Sequence, residues 1–242
     1  MHFLVLNHQR PPHRGALLEM VAAAGHDWTR VLLHEGTPLP PLDGFDAVWV
    51  KSGSMDVWQE EAHPWLRAEK ALIREAVVDR GMPYLGICLG HQLLASALGG
   101  EVLLGTPEVG VKTVTLHGSS PYMSDVPSPL PVLQWHAAEV IRPPEGAVVL
   151  ASSPACSVEA MSWGDKALSV QFDLEAKKES LRHWTEPAPR NLDAEATNGR
   201  WRDGLEEALA QQLPGIHRSA RQIYDNWCRQ CGIPNEPPGT IK

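Results

Sequence analysis

No stretch of the 242 residues approaches the ~18–20 uninterrupted apolar residues of a membrane-spanning helix, so a helical membrane protein is not expected. Runs of Lys or Arg are also missing, and 21 basic residues against 29 acidic ones leave a net charge of −8. An acidic balance repels phosphate backbones and disfavours extended nucleic-acid binding. Cysteine is sparse, with four in the chain, which excludes a disulfide scaffold and makes a reduced, cytoplasmic setting the expectation. The opening segment Met1 to Leu6 is too short for a signal peptide and holds no Lys or Arg. A Gly-x-Gly-x-x-Gly or Walker-type run is absent, so nucleotide binding has no support. Internal repeats and low-complexity tracts are absent too. What remains is an ordinary globular composition, 43% apolar and 21% charged, long enough for one large domain or one domain with an extension.

The first half alternates strand and helix patterns. Phe3-Leu4-Val5-Leu6 is an all-apolar run suited to a strand buried on both faces of a parallel sheet. A helix is expected over 15–25, with Leu17, Leu18, Val21 and Ala22 on one side. Val31-Leu32-Leu33 and Ala47-Val48-Trp49-Val50 read as strands, the latter ending in Ser52-Gly53-Ser54. A second helix is expected from Pro64, in the N1 position that proline favours, to Arg80. Tyr84 to Ile87 is a further strand, followed by a short helix from Leu89 to Leu98. Such alternation predicts right-handed crossovers and a mostly parallel sheet. Beyond this point the pattern changes. Val109 to Leu116, Ser157 to Met161 and parts of Ala167 to Phe172 alternate with period two, as antiparallel or edge strands do. The proline-rich stretch 119–131 predicts a surface loop and 187–198 a linker. Two helices are expected at 204–213 and 216–229, with a frayed end from Pro234.

The chemically informative segment is Tyr84-Leu85-Gly86-Ile87-Cys88-Leu89-Gly90-His91-Gln92. An apolar strand delivers a cysteine to a sharp turn, and a helix starts at once. Such a turn exposes the sulfur at the carboxyl end of the sheet and aims the helix dipole at it, which favours thiolate. The Leu89 N–H is then placed to donate to an oxyanion forming on an attacked carbon.

On these residues the chain resembles the class I glutamine amidotransferase-like proteins, of the stand-alone type. Gly86 to Gln92 is similar to the family's nucleophile elbow, and Ser52-Gly53-Ser54-Met55 to its glycine-rich oxyanion loop. The words Pro64-Trp65-Leu66, Gln134-Trp135-His136 and Val170-Gln171-Phe172 fall where members have similar ones. The resemblance implies a flavodoxin-like, doubly wound, mostly parallel α/β sheet over residues 1–184, with 185–242 as a C-terminal helical extension. It also implies a cysteine-nucleophile amidohydrolase that cleaves glutamine or another γ-glutamyl amide through a Cys88 thioester. Cys88 matches the nucleophile, Gly53 and Leu89 the oxyanion-hole donors, Gln92 a group holding the glutamyl moiety, and Trp135 and His136 a loop lining the same pocket. The small-molecule amide would be the ligand, with a separate synthetase or acceptor protein as an added partner and no cofactor.

One departure matters more than the agreements. The family's base lies in a His-Pro-Glu word after Gln-Phe, whereas this chain reads Gln171-Phe172-Asp173-Leu174-Glu175. The orienting carboxylate is matched by Glu175, but the histidine position is matched by Asp173. A carboxylate near its reference pKa of ~3.9 is a poor base for a thiol near ~8.5. Two anions beside Cys88 would also discourage its ionisation. Two readings therefore compete: an amidohydrolase with an altered triad, and a catalytically inactive member that binds a ligand or partner. His136 is the histidine best placed to substitute, while His91 is expected to pack away from the sulfur and His183 to lie on a following helix. A metal centre is not expected, although Cys88, His136, Asp173 and Glu175 are donor types that could converge on one. The lone Cys228-Arg229-Gln230-Cys231 lacks a second ligand pair and reads as packed or solvated thiols, and Cys156 as core.

Overall fold

The computed structural model describes residues 1–9, 16–175, 177 and 200–235, and the side chains of 200–203 are not described. The strands β1 (His2–Asn7), β2 (Asp27–Leu32), β3 (Ala47–Val50), β4 (Tyr84–Ile87), β5 (Glu101–Leu116), β6 (Leu130–Arg142), β7 (Ala147–Ser152), β8 (Ala160–Trp163) and β9 (Ala167–Val170) form one sheet in the order β2-β1-β3-β4-β9-β8-β7-β5-β6. Pairings from β2 to β9 are parallel, and those from β9 through β8, β7 and β5 to β6 are antiparallel. The helices are α1 (Ala16–Ala23), α2 (Trp65–Arg74), α3 (Leu89–Ala97) and α4 (Arg200–Cys231). This is the flavodoxin-like architecture, with an antiparallel extension on one side and a long final helix.

Period-two alternation decides which layer each strand residue joins. In β1, Phe3 and Val5 enter one core and Leu4 and Leu6 the other, all four fully buried. The first core lies under α1 and α4 and takes Leu17, Leu18, Val21, Ile223, Tyr224 and Trp227. The second lies under α2 and α3 and takes Leu66, Ile73, Leu93 and Leu94. Helices on both faces explain why the early strands read as unbroken apolar runs.

The structure differs from expectation in four ways. The proline-rich stretch holds a short 3-10 turn at Pro121–Met123 and ends where β6 begins at Leu130, so Gln134, Trp135 and His136 lie in a strand and not in a loop. β7 was not visible in the sequence as a strand. The expected helix to Arg80 ends as α-helix at Arg74 and continues as a π turn, Glu75–Asp79. Finally, the two tail helices are one, running through Pro214. An interior proline removes a hydrogen bond and costs about 3 kcal/mol. Burial on both sides of it offsets that cost: Leu205, Leu209 and Ile216 pack on Leu133, and Ala220, Ile223 and Trp227 on the main core. His183 and the 187–198 segment lie outside the described residues.

β5 and β6 form a long antiparallel ribbon with a break in register. Leu104 pairs with Ala138, but the next pair is Glu108 with His136, so β5 inserts extra residues around Pro107. The bulge re-aims the strand and sets Glu108 directly across from His136.

Candidate functional site

Cys88 sits where β4 meets α3, at φ 52° and ψ −102°, a positive-φ conformation that non-glycine residues rarely adopt. The turn is fixed from both sides. The Cys88 N–H donates to Val170 O at 2.8 Å, and Cys88 O accepts from His91 N–H at 3.0 Å and Gln92 N–H at 3.2 Å. Gly90 is required by close approach, since a Cβ there would stand 2.2 Å from Val50 O. The Tyr84 hydroxyl ties down the same turn by donating to Gly90 O at 2.7 Å. Gly53 reaches the start of α3 for a similar reason: its Cβ would meet Leu89 Cδ2 at 2.4 Å and His8 Cβ at 2.9 Å. Its loop is braced by His8, whose Nδ1 lies 3.3 Å from Ser52 O and whose Nε2 lies 2.8 Å from the buried Glu69 carboxylate. Trp65 stacks on the His8 ring.

Gly53, Cys88 and the 171–175 segment follow the carboxyl ends of β3, β4 and β9, with partners that the sequence did not announce, whereas Trp135 and His136 lie on β6. Gln171 donates from Nε2 to Cys88 Sγ at 3.7 Å. The Gln171 Oε1 accepts from Gln92 Nε2 at 3.0 Å, and Gln92 Nε2 also donates to Ala138 O at 2.8 Å. Asp173 is held to β6 by its N–H donating to Leu133 O at 2.9 Å, and its Oδ1 accepts from the Glu175 N–H. Glu175 Oε1 lies 3.0 Å from Lys51 Nζ in a nearly buried ion pair. The carboxylate matched to the orienting role thus faces an ammonium. Trp135 packs partly buried beside Leu133, Leu205 and Leu209, so α4 covers its side of β6. His91 is buried between Val158 O, to which Nε2 donates at 3.0 Å, and Ser169 Oγ, which donates to Nδ1 at 2.9 Å. Burial pushes the His91 imidazole down to about 3.

His136 belongs to a different constellation. With Glu108 and Glu159 it forms a buried group in which one donor atom from each residue lies within 4.8 Å of the others. Burial pushes Glu159 up to about 7. Gln134 Nε2 donates to both Glu159 oxygens at 2.7 Å. None of this could be read from sequence spacing, because the three residues come from separate segments.

The expectation of a Cys88 thioester, and with it of a cysteine-nucleophile hydrolase, does not hold. The imidazole near the expected triad is engaged in a Glu108–His136–Glu159 cluster that contains no cysteine. The thiol itself is not activated. Burial first, and then the Asp173 and Glu159 charges, push it up to about 12, against the opposing effects of the Leu89 N–H and Gln171. Desolvation and like charge outweigh the helix N-terminus.

Fold and elbow define a class of protein, the flavodoxin-like α/β proteins with a strand–cysteine–helix turn at the carboxyl edge of the sheet. The family model for class-I glutamine amidotransferases matches residues 19–184, and the chain belongs to that family. Over 235 residues it is 32% identical to the glutamine amidotransferase-like protein YfeJ of Salmonella typhimurium, covering 93% of this chain and 95% of that protein. Over 103 residues, 42% of this chain, it is 42% identical to a glutamine-hydrolyzing GMP synthase subunit of Sulfolobus acidocaldarius. The chain spans about half the length of that relative, 55%. The solved structure of a glutamine amidotransferase from Thermotoga maritima superposes with a TM-score of 0.82 at 24% identity, covering 93% of this chain and 97% of that one, which speaks for the fold. Among the described residues, no helix is long and apolar enough to cross a membrane.

Proposed function

We propose that this chain is a catalytically inactive member of the class-I glutamine amidotransferase family, one that binds a ligand or partner at the Cys88 edge without turnover. The observation that carries this reading is the separation of roles: the imidazole lies beside two glutamates in a cluster that holds no cysteine, and the thiol accepts from the Gln171 amide while burial and the Asp173 charge disfavour its ionisation. In this reading Asp173 stands at the family's triad-histidine position, which the word Gln171-Phe172-Asp173-Leu174-Glu175 supports. Cys88, Gly53, Leu89, Gln92, Asp173 and Glu175 then serve recognition. The family makes a γ-glutamyl amide the first ligand to try. The name GMP synthase, borne by several relatives, favours a synthetase-type protein as the partner. Residues 1–184 would form the recognition domain and 185–242 its helical extension, in a reducing, cytoplasmic setting consistent with four free cysteines.

The test pairs binding with turnover. Glutamine and several γ-glutamyl amides are titrated calorimetrically, while ammonia release and intact mass are followed in parallel. Saturable heat with no ammonia and no mass adduct on Cys88 is expected. Ammonia release that disappears in Cys88→Ala would overturn the reading.

A further inference from the structure

The Glu108–His136–Glu159 cluster has a geometry that is unusual for an ion pair. His136 Nδ1 lies 3.1 Å from Ala138 O. A carbonyl can only accept, so Nδ1 carries the hydrogen, and in a neutral ring Nε2 is left with its lone pair. That Nε2 is buried, in a residue only 8% exposed, and has no hydrogen-bond partner. It stands 3.5 Å from Glu108 Oε2. Such a spacing is long for a hydrogen bond, which prefers about 2.7–3.2 Å. It is the separation expected of two ligands sharing an ion: a tetrahedral zinc with arms of about 2.0–2.2 Å holds its donors about 3.3–3.6 Å apart.

The surroundings match those of a ligand set. A metal-bound histidine typically donates its other ring N–H to a carbonyl or carboxylate, as His136 does to Ala138 O. The carboxylates are oriented in turn: Ser153 Oγ donates to Glu108 Oε2 at 3.1 Å, and Gln134 Nε2 donates to both oxygens of Glu159. Each carboxylate oxygen keeps a further lone pair for a cation. Two carboxylates around a neutral imidazole would balance a dication, and one nitrogen with two oxygens suits zinc and its first-row neighbours better than magnesium or calcium. The β5 bulge gives the arrangement its cause in the fold, because it places Glu108 across from His136.

We propose that Glu108, His136 and Glu159 form a binding site for one divalent transition-metal ion, zinc or a close neighbour, held by His136 Nε2 and one oxygen from each glutamate. The full-length protein, stripped with a chelator, is titrated with Zn²⁺ by calorimetry and with Co²⁺ by absorption spectroscopy. One ion per chain is expected, with cobalt ligand-field bands and no thiolate-to-cobalt charge-transfer band. Glu108→Gln and Glu159→Gln keep the shape while weakening one donor and should each lower affinity at least about 100-fold. Gln134→Ala should lower it about 10–100-fold, the usual effect of losing an outer-shell partner. His136→Ala should abolish binding, with near-ultraviolet circular dichroism as the check that the variant is folded; should it unfold, the two isosteric glutamine variants decide. Three results would overturn the site: no stoichiometric binding, affinity unchanged in both glutamine variants, or a thiolate band that vanishes in Cys228→Ser/Cys231→Ser.

Discussion

A thiol pushed up to about 12 should be slow, and by how much can be worked out. Against an ordinary thiol near ~8.5, Cys88 holds about 10^3.5-fold less thiolate at pH 7. The thiolate that does form is more nucleophilic, by about 10^1.6-fold for a Brønsted slope of about 0.45 over the same interval. The net expectation is alkylation about a hundredfold slower than free cysteine, before the partial shielding of the residue slows it further. Iodoacetamide labelling, quantified peptide by peptide, isolates Cys88 from Cys228 and Cys231, which are also pushed up to about 12. The pH dependence is the sharper test. The Cys88 rate should climb about tenfold per pH unit through pH 10, where an ordinary thiol has already levelled off. Asp173→Asn removes the second cause of the shift, after burial, and should speed labelling at pH 7 about threefold for each pK unit recovered. A plateau below pH 9, or a rate at pH 7 equal to that of free cysteine, would refute the reasoning and reopen nucleophilic chemistry at this sulfur.

The elbow was legible because its information is local. An apolar tetrad, Cys88 and the flanking glycines lie in one run of sequence, and the close approach at Gly90 leaves no room for a side chain. The two-sided burial of β1 was legible for the same reason. What escaped was non-local. From sequence, the α3 dipole stood against two carboxylates at Cys88, but the largest effect is burial, which only the folded chain sets. Lys51 reads as the residue after a strand, and only the folded chain turns it toward Glu175. Glu108 lies within a stretch whose alternation was visible only from Val109 onward, because the irregularity before it breaks the period. Glu159 sits just before a short strand with nothing in its neighbourhood to suggest a histidine partner. Pro214 misled in the opposite direction, since local propensity is a weak prior once both flanking faces are buried.

Three further outcomes can be checked by equilibrium unfolding. Gly90→Ala forces a Cβ against the Val50 carbonyl and should cost about 1–3 kcal/mol or more, the range for overpacking, whereas an unchanged denaturation midpoint would mean that β3 and α3 do not meet this closely. Trp227→Ala empties a fully buried site between α4 and the sheet and should cost about 3–5 kcal/mol; a loss below about 1 kcal/mol would show that α4 is not part of the core. The last concerns pH. His91 is held down at about 3 in the folded chain, chiefly by burial, with both ring nitrogens committed, one donating to Val158 O and one accepting from Ser169 Oγ. An unfolded imidazole takes its proton near ~6.5. Between these values the unfolded state binds the proton and the folded state does not, so stability is full above pH 6.5 and is lost as pH falls toward 3. At ~1.4 kcal/mol per unit, His91 alone should remove about 3 kcal/mol between pH 6.5 and pH 4. His91→Gln cannot titrate, so the difference between the wild type and this variant isolates the contribution from every other group. The variant starts less stable at pH 7, and the gap should narrow steadily below pH 6.5 and close or reverse by pH 4. A gap that stays constant over that window would mean that His91 accepts its proton in the fold, and that the hydrogen bonds assigned to its ring are wrong.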